Sequence, residues 1–288
     1  MVFDPQPNRY PYPEDTDRHY LGVKKNNGLV FDVNYPYIDT SKKFRRSENF
    51  TRFLLNTVVF PMTYIRFGLK VEGKENLKKY KDVISKGVVS VCNHIHMWDY
   101  LGILATIRPI RAHVLTWAPN IRGENSKMLR SVGAIPIPEN DMEATYKYME
   151  VVNNYINSGG WLHIYAEGSM WEYYQPIRPF KRGAAYFACE NNKPVIPLVY
   201  SYRKPGWFRK VFFKQYAKMT LHVGEPIYPN LALSRTAMEI DLTKRMHDAC
   251  CLLSGVDPKD SIYKPVYNHD KRVDYYTEKY GVNYKGSW

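Results

Sequence analysis

The stretch Val88-Val89-Ser90-Val91-Cys92, followed by Asn93-His94-Ile95-His96-Met97-Trp98-Asp99, decides the fold. The first five residues are a short apolar run rich in valine, which reads as a buried strand. The polar heptapeptide sets a histidine and a carboxylate five positions apart at the end of that strand. A carboxylate that accepts the Nδ1 proton of an imidazole fixes its tautomer and leaves Nε2 as a base. Such a pair can take a proton from a hydroxyl that attacks a carbonyl. Spacing alone does not establish it, because Asn268-His269-Asp270-Lys271-Arg272-Val273-Asp274 repeats the pattern. That second copy follows no apolar run and sits among charges, so context selects His94 and Asp99.

Outward from this point, strand and helix patterns alternate. Asp99–Ile107 reads as a short helix, Ala112–Thr116 as a strand, Ser126–Val132 as a helical turn or two, and Ala134–Ile137 as a short strand. The clearest helix spans Asp141 to Ser158. Asn140 is the expected cap, Glu143 holds the capping-box position, and Tyr148, Val151, Val152 and Tyr155 share one face. Gly159-Gly160 ends it. Trp161–Ala166 is a strand, Gly183–Glu190 a helix, Val195–Tyr200 and Met219–Val223 strands, and Leu233–Leu253 a last helix. This order predicts an α/β domain over residues 50–254, with a largely parallel sheet flanked by helices. Ligands of such sheets sit beyond the C-terminal strand ends, where His94 and Glu167 fall. Residues 1–49 read as an irregular extension and 255–288 as a polar tail.

The chain has 288 residues, 44% of them hydrophobic and 24% charged, a balance that excludes a disordered chain. A net charge of +13 suits an anionic partner: nucleic acid, an anionic membrane surface or an acidic substrate. The 25 tyrosines suit nucleic acid or a membrane interface; no nucleic-acid motif accompanies them, which favours the membrane. Cys92, Cys189, Cys250 and Cys251 form no C-x-x-C pair, which reads as a reducing compartment without structural zinc. The N-terminal residues are polar and Pro-rich, unlike a signal peptide. Phe53–Leu69 is the most apolar segment, yet Asn56, Pro61 and Arg66 interrupt it, and it is too short to span a bilayer. Two readings stand: a core-packing helix pair broken at Pro61, or an amphipathic interfacial helix flanked by Lys42, Lys43, Arg45, Arg46 and Arg52.

Three further blocks carry chemistry. Tyr165-Ala166-Glu167-Gly168-Ser169 follows a strand; its glycine lets backbone approach a ligand, and Glu167 can orient a hydroxyl or hold the loop. Phe180-Lys181-Arg182-Gly183-Ala184 sets two cations before a helix-opening glycine, a site for an anionic group or a solvated turn. Val195-Ile196-Pro197-Leu198-Val199 places a proline inside a buried strand, at an edge or where the ladder opens.

Taken in order, with Gly133-Ala134-Ile135-Pro136-Ile137 between the first two, these blocks resemble the glycerolipid acyltransferase family over roughly residues 55–230. The likeness is strongest to its bacterial 1-acylglycerol-3-phosphate acyltransferase (PlsC) type. The resemblance implies His94 as general base, Asp99 as its holder and Asn93 as support for the turn. It implies Glu167, Gly168 and Ser169 as a loop facing the acceptor or the developing oxyanion. It implies direct attack on an acyl thioester of coenzyme A or acyl carrier protein, with no other cofactor, no metal and no covalent acyl-enzyme. The acceptor would be a lysophospholipid and the product phosphatidic acid. The enzyme would sit, peripheral or monotopic, at the cytoplasmic face of the cell membrane.

Two departures touch the acceptor. The family's Glu-Gly-Thr-Arg block is Glu167-Gly168-Ser169-Met170 here, and Ile137 is followed by Pro138-Glu139-Asn140 where the family carries a basic residue. Each lost charged contact to phosphate costs about 1.5–3 kcal/mol. Arg122, Lys127, Arg130, Lys181 and Arg182 are the candidate replacements. The alternatives are a non-phosphate lysolipid or amino-lipid acceptor, or a non-catalytic basic module that binds membrane or nucleic acid. Other residues read as structure: His96 two positions from His94 and facing away, Cys92 at a strand end, and His163 packed within a strand. Trp98 and Trp171 either wall an acyl groove or simply pack.

Overall fold

In a computed structural model the described residues are 3, 5, 26–213, 215 and 217–259. The second His-to-Asp copy at 268–274, most of the N-terminal extension and most of the C-terminal tail lie outside them.

The strands are β1 (Lys70–Glu72), β2 (Val88–Cys92), β3 (Ala112–Thr116), β4 (Ala134–Pro136), β5 (Trp161–Tyr165), β6 (Val195–Arg203) and β7 (Lys218–Val223). Among the described residues they form one sheet in the order β1-β7-β6-β2-β5-β3-β4. β6, β2, β5, β3 and β4 run parallel; β7 is antiparallel to β6 and parallel to β1. The largely parallel sheet expected from the alternating pattern is therefore present.

The helices are α1 (Lys42–Leu54), α2 (Phe60–Phe67), α3 (Glu75–Lys79), α4 (Lys81–Ile84), α5 (Asp99–Ile107), α6 (Ala118–Arg122), α7 (Ser126–Ser131), α8 (Met142–Asn157), α9 (Gly183–Glu190), α10 (Trp207–Phe212) and α11 (Arg235–Ser254). Side chains alternate across a strand, so the sheet buries both faces. Val89 and Val91 join one core with Leu162, Ile164 and residues of α8, α9 and α11. Val88 and Cys92 join the other with Trp161, Ile196, Leu198 and residues of α2 and α5.

Several expectations need correction. The cap of α8 is Asp141, whose carboxylate accepts from Ala144 N at 3.0 Å; Asn140, at φ +54°, stands outside the helix. Residues 42–49 are helical, with Ser41 as the cap of α1. The segment ahead of it packs on the body through buried Phe31 and Tyr37. Pro61 does not break a helix pair. A π turn over Leu55–Val59 joins α1 to α2, and the Phe60 N–H reaches back to Leu55 O. Proline has no N–H to donate, and the widened turn absorbs that loss so the helical path continues. This helix buries Leu55, Phe60 and Thr63 and leaves Phe53, Val58, Met62 and Ile65 exposed. No helix of the described residues is long and apolar enough to cross a membrane.

Candidate active site

β2 and β5 are parallel neighbours in the register Cys92↔Tyr165. Two residues further on, that register sets His94 beside Glu167, and the His94 N–H donates to Glu167 Oε2 at 3.1 Å. The chain between His94 and Asp99 forms a tight turn whose donors converge on one carboxylate. Asp99 Oδ2 lies 2.9 Å from His94 Nδ1 and accepts from the Ile95 and His96 N–H groups at 2.9 and 3.2 Å. Asp99 Oδ1 accepts from Tyr165 Oη at 2.5 Å. Burial alone would push the Asp99 carboxyl up, but His94 beside it and these donors outweigh burial and hold it below its ordinary value. An ionised Asp99 accepts a hydrogen bond from Nδ1–H, so Nε2 is the ring nitrogen left without a proton.

The imidazole is braced. It stacks on Tyr165 with centroids 3.9 Å apart and planes 17° apart. Its side chain is 24% exposed against 1% for Asp99, so the imidazole can meet solvent or a ligand while its partner cannot. Asn93 accepts from Tyr200 N at 2.8 Å and donates to Tyr200 O at 3.1 Å, tying the turn to β6. Tyr200 Oη donates to Asp99 O at 2.6 Å. On the other side, Trp171 N donates to His94 O and Tyr173 N to Ile95 O.

His94 opens onto a cavity of about 850 Å³, at the larger end of the ~300–1,000 Å³ usual for ligand sites. Its wall is mostly apolar, with Val114, Leu129, Ala134, Ile164, Ala184 and Phe187 running inward between the sheet and α7 and α9. Trp98 lines it; Trp171 is buried and packs on the Arg178 guanidinium at 4.2 Å instead.

Of the five candidate cations, Lys181 alone lines this cavity. Arg122 pairs with Glu139 at 2.7 Å and donates to Leu29 O. Arg130 donates to Pro36 O and lies over the Tyr35 and Phe44 rings. Lys127 and Arg182 are exposed and line no part of it. Arg122, Lys127, Arg130 and Arg182, also candidates for an acceptor phosphate, thus stand outside this cavity: two serve the N-terminal segment and two are exposed.

The Glu167-Gly168-Ser169 loop also differs from the expectation. Glu167 is buried and ion-paired with Arg178 Nη2 at 2.9 Å, and its other oxygen accepts from Arg178 N at 2.9 Å. Arg178 also donates to Ser169 Oγ at 2.7 Å and to Ser169 O. Glu167 thus holds the loop rather than a substrate hydroxyl. The Gly168 N–H is committed to Tyr165 O at 3.0 Å, so it is no oxyanion donor. Gly168, at φ +81°, lets Lys181 pass close; a Cβ here would lie 2.7 Å from Lys181 Cε. Gly168 and Ser169 remain on the cavity wall.

Sequence reasoning missed Tyr165 and Arg178. Tyr165 was readable only as a strand end, and Arg178 lies in Gln175-Pro176-Ile177-Arg178-Pro179, which has the look of a surface turn. His96 is two-sidedly packed, near Phe67 and Tyr173, and accepts from Trp98 N through Nδ1. Burial pushes the Cys92 thiol well up, which removes it as a nucleophile. Among the described residues no cluster of His, Cys, Asp or Glu could hold a metal ion.

With this geometry in place, comparison with known proteins gives a direct match. A sequence model of the Acyltransferase family matches residues 68–201. The matched stretch is similar to that family over a little under half of the chain. It runs from two residues before β1 into β6, so the matched region includes His94, Asp99, Glu167 and Lys181 and leaves α10, β7 and α11 outside. Among solved structures, the chain is similar to the 1-acyl-sn-glycerophosphate (LPA) acyltransferase PlsC from Thermotoga maritima. The identity is 15%, over 74% of this chain and 84% of that one, with a TM-score of 0.42. No curated protein sequence matches the chain.

Proposed function

We propose that the protein transfers a fatty acyl group from an acyl thioester of coenzyme A or acyl carrier protein to the hydroxyl of a lysophospholipid. The favoured acceptor is 1-acyl-sn-glycerol-3-phosphate and the product phosphatidic acid. One observation carries this reading: His94, backed by a buried carboxylate, lines a largely apolar cavity of about 850 Å³. The apolar wall suits an acyl chain. His94 Nε2 takes the proton of the acceptor hydroxyl as its oxygen attacks the thioester carbonyl. Collapse of the tetrahedral intermediate breaks the C–S bond, and His94 returns the proton to the leaving thiolate. The acceptor oxygen attacks the thioester carbonyl directly, so no covalent enzyme intermediate is needed. Imidazolium forms transiently, and Asp99 stabilises it. Lys181 is the cation on hand for an acceptor phosphate. The reaction would take place at the cytoplasmic face of the cell membrane, into which both the lysolipid and the product partition.

A second reading has its own observation. Among the described residues the cavity wall carries a single Lys or Arg, Lys181, beside Glu124 and the Arg122-paired Glu139, and Met170 occupies the position where the family has arginine. That balance suits an acceptor with no phosphate monoester, such as a neutral lysolipid or an amino-lipid. Transfer of labelled acyl groups to a panel of lyso-acceptors discriminates: strong preference for lysophosphatidic acid supports the first reading, preference for an uncharged or cationic acceptor the second. Full wild-type turnover by His94→Ala would refute both.

A further inference from the structure

α10 and its flanks have no role in the chemistry above. Trp207, Phe208, Val211 and Phe212 fall at i, i+1, i+4 and i+5, one face of a helical turn. No residue of α10 is buried; Trp207 is 72% exposed and Phe212 64%. A helix with two such aromatic side chains in water has no core reason to exist. The sequence around it is one-signed: residues 201–224 hold Arg203, Lys204, Arg209, Lys210, Lys214 and Lys218 and no Asp or Glu.

The position of α10 in the fold gives this surface a use. β6 runs parallel to β2, so α10 leaves the sheet at the same edge at which the His94 turn leaves β2. It is fastened to α2, with Arg209 Nη1 donating to Ile65 O at 2.6 Å. On α2, Met62 and Ile65 are exposed, and next to the catalytic dyad so are Met97 and Trp98. Aromatic residues with one apolar and one wet side, rimmed by Lys and Arg, match an anionic lipid surface in both chemistry and charge.

We propose that α10 is a membrane-docking element that inserts its aromatic face into an anionic bilayer and turns the mouth of the cavity toward the lipid. This deepens the reading above and rests on it for why a bilayer would hold the acceptor. Docking itself needs no turnover to be measured.

The test is flotation of the full chain with phosphatidylcholine–phosphatidylglycerol vesicles and with pure phosphatidylcholine vesicles. It is paired with turnover on a short-chain, monodisperse donor and acceptor. Wild type should float with the anionic vesicles, and Trp207→Ala/Phe212→Ala should lower that partitioning by at least about tenfold. Turnover on the monodisperse substrates should be unchanged. Lys210→Glu should weaken binding to the anionic vesicles alone. The emission of wild type should shift blue on adding vesicles, and Trp207→Phe should markedly reduce that shift. Flotation of the double variant equal to wild type would overturn the proposal, as would the same blue shift in Trp207→Phe. Capture of an acidic acyl carrier protein by this face, with vesicle binding unaffected by the substitutions, would also overturn it. Absence of turnover on every acceptor would count against the enzymatic reading while leaving the flotation result to stand or fall alone.

Discussion

Asp99→Asn isolates what the charge of the dyad contributes, because the site dictates how an amide would lie. Oδ2 faces three donors, namely His94 Nδ1 and the Ile95 and His96 N–H groups. An amide nitrogen there would oppose two backbone N–H groups that cannot change role, so the amide oxygen must take that place. The amide nitrogen then meets Tyr165 Oη, which can rotate its proton away and accept. The variant keeps the His94 tautomer and the turn; it loses only the negative charge. In the transition state that charge faces an imidazolium whose centre is about 4 Å away, and at an effective dielectric constant of about 20 the attraction is worth about 4 kcal/mol. The neutral hydrogen bond and relief from burying a charge recover about 1 kcal/mol. A net loss of roughly 3 kcal/mol predicts kcat lower by about two orders of magnitude, with KM little changed. Thiol release under saturating acyl-thioester measures kcat, and a urea melt checks the fold. Turnover within about threefold of wild type, in a variant that melts like wild type, would refute charge stabilisation of imidazolium by Asp99.

Three further perturbations probe other parts of the site. Gly102→Ala on α5 would bring a Cβ to 2.2 Å from Tyr200 Oη, the group that donates to Asp99 O; it should lower stability by about 1–3 kcal/mol and kcat with it, read by urea melts and thiol release. Arg178→Met would leave Glu167 buried and unpaired and should destabilise the fold by about 3–5 kcal/mol, measured by denaturant midpoint; the double variant Arg178→Met/Glu167→Gln should recover part of that loss. Burial holds His163 neutral, lowering its pKa from 6.5 to about 3, so its contribution to stability is complete above the unfolded value and lost as pH falls toward the folded one. From pH 7 to pH 5 it should remove about 2 kcal/mol in wild type, a slope absent from His163→Gln in urea titrations at the two values.

The sheet was legible because its strands are short apolar runs bounded by glycine or by polar turns; Val88–Cys92, Ala112–Thr116 and the helix Asp99–Ile107 begin and end where the pattern predicts. His94 and Asp99 were legible because both partners lie in one turn and strand-end context separates them from the copy at 268–274. What escaped reading depends on partners distant in the chain. Tyr165 reaches Asp99 only because β5 returns to lie between β2 and β3. Arg178 looks solvated until Glu167 and Trp171 close over it. The placement of two phosphate candidates escaped for the same reason: Arg122 and Arg130 are claimed by carbonyls of residues 29 and 36, a contact no local pattern announces. Proline at position 61 reads as a helix breaker, and the π turn that accommodates it has no composition of its own.

Asn93 has a consequence for measurement. Its side-chain amide offers Tyr200 one acceptor and one donor, the same pair of groups that a peptide unit of a neighbouring strand would offer. β6 thus continues as though β2 went on beside it, while the main chain of β2 has already turned aside to present His94. Neither Asp nor Leu can imitate a peptide in this way, since one lacks the donor and the other both groups. The Tyr200 amide therefore reports on the turn: each time the segment bearing His94 comes away from the sheet, that amide is released to solvent, and its hydrogen-exchange rate counts those departures one residue at a time.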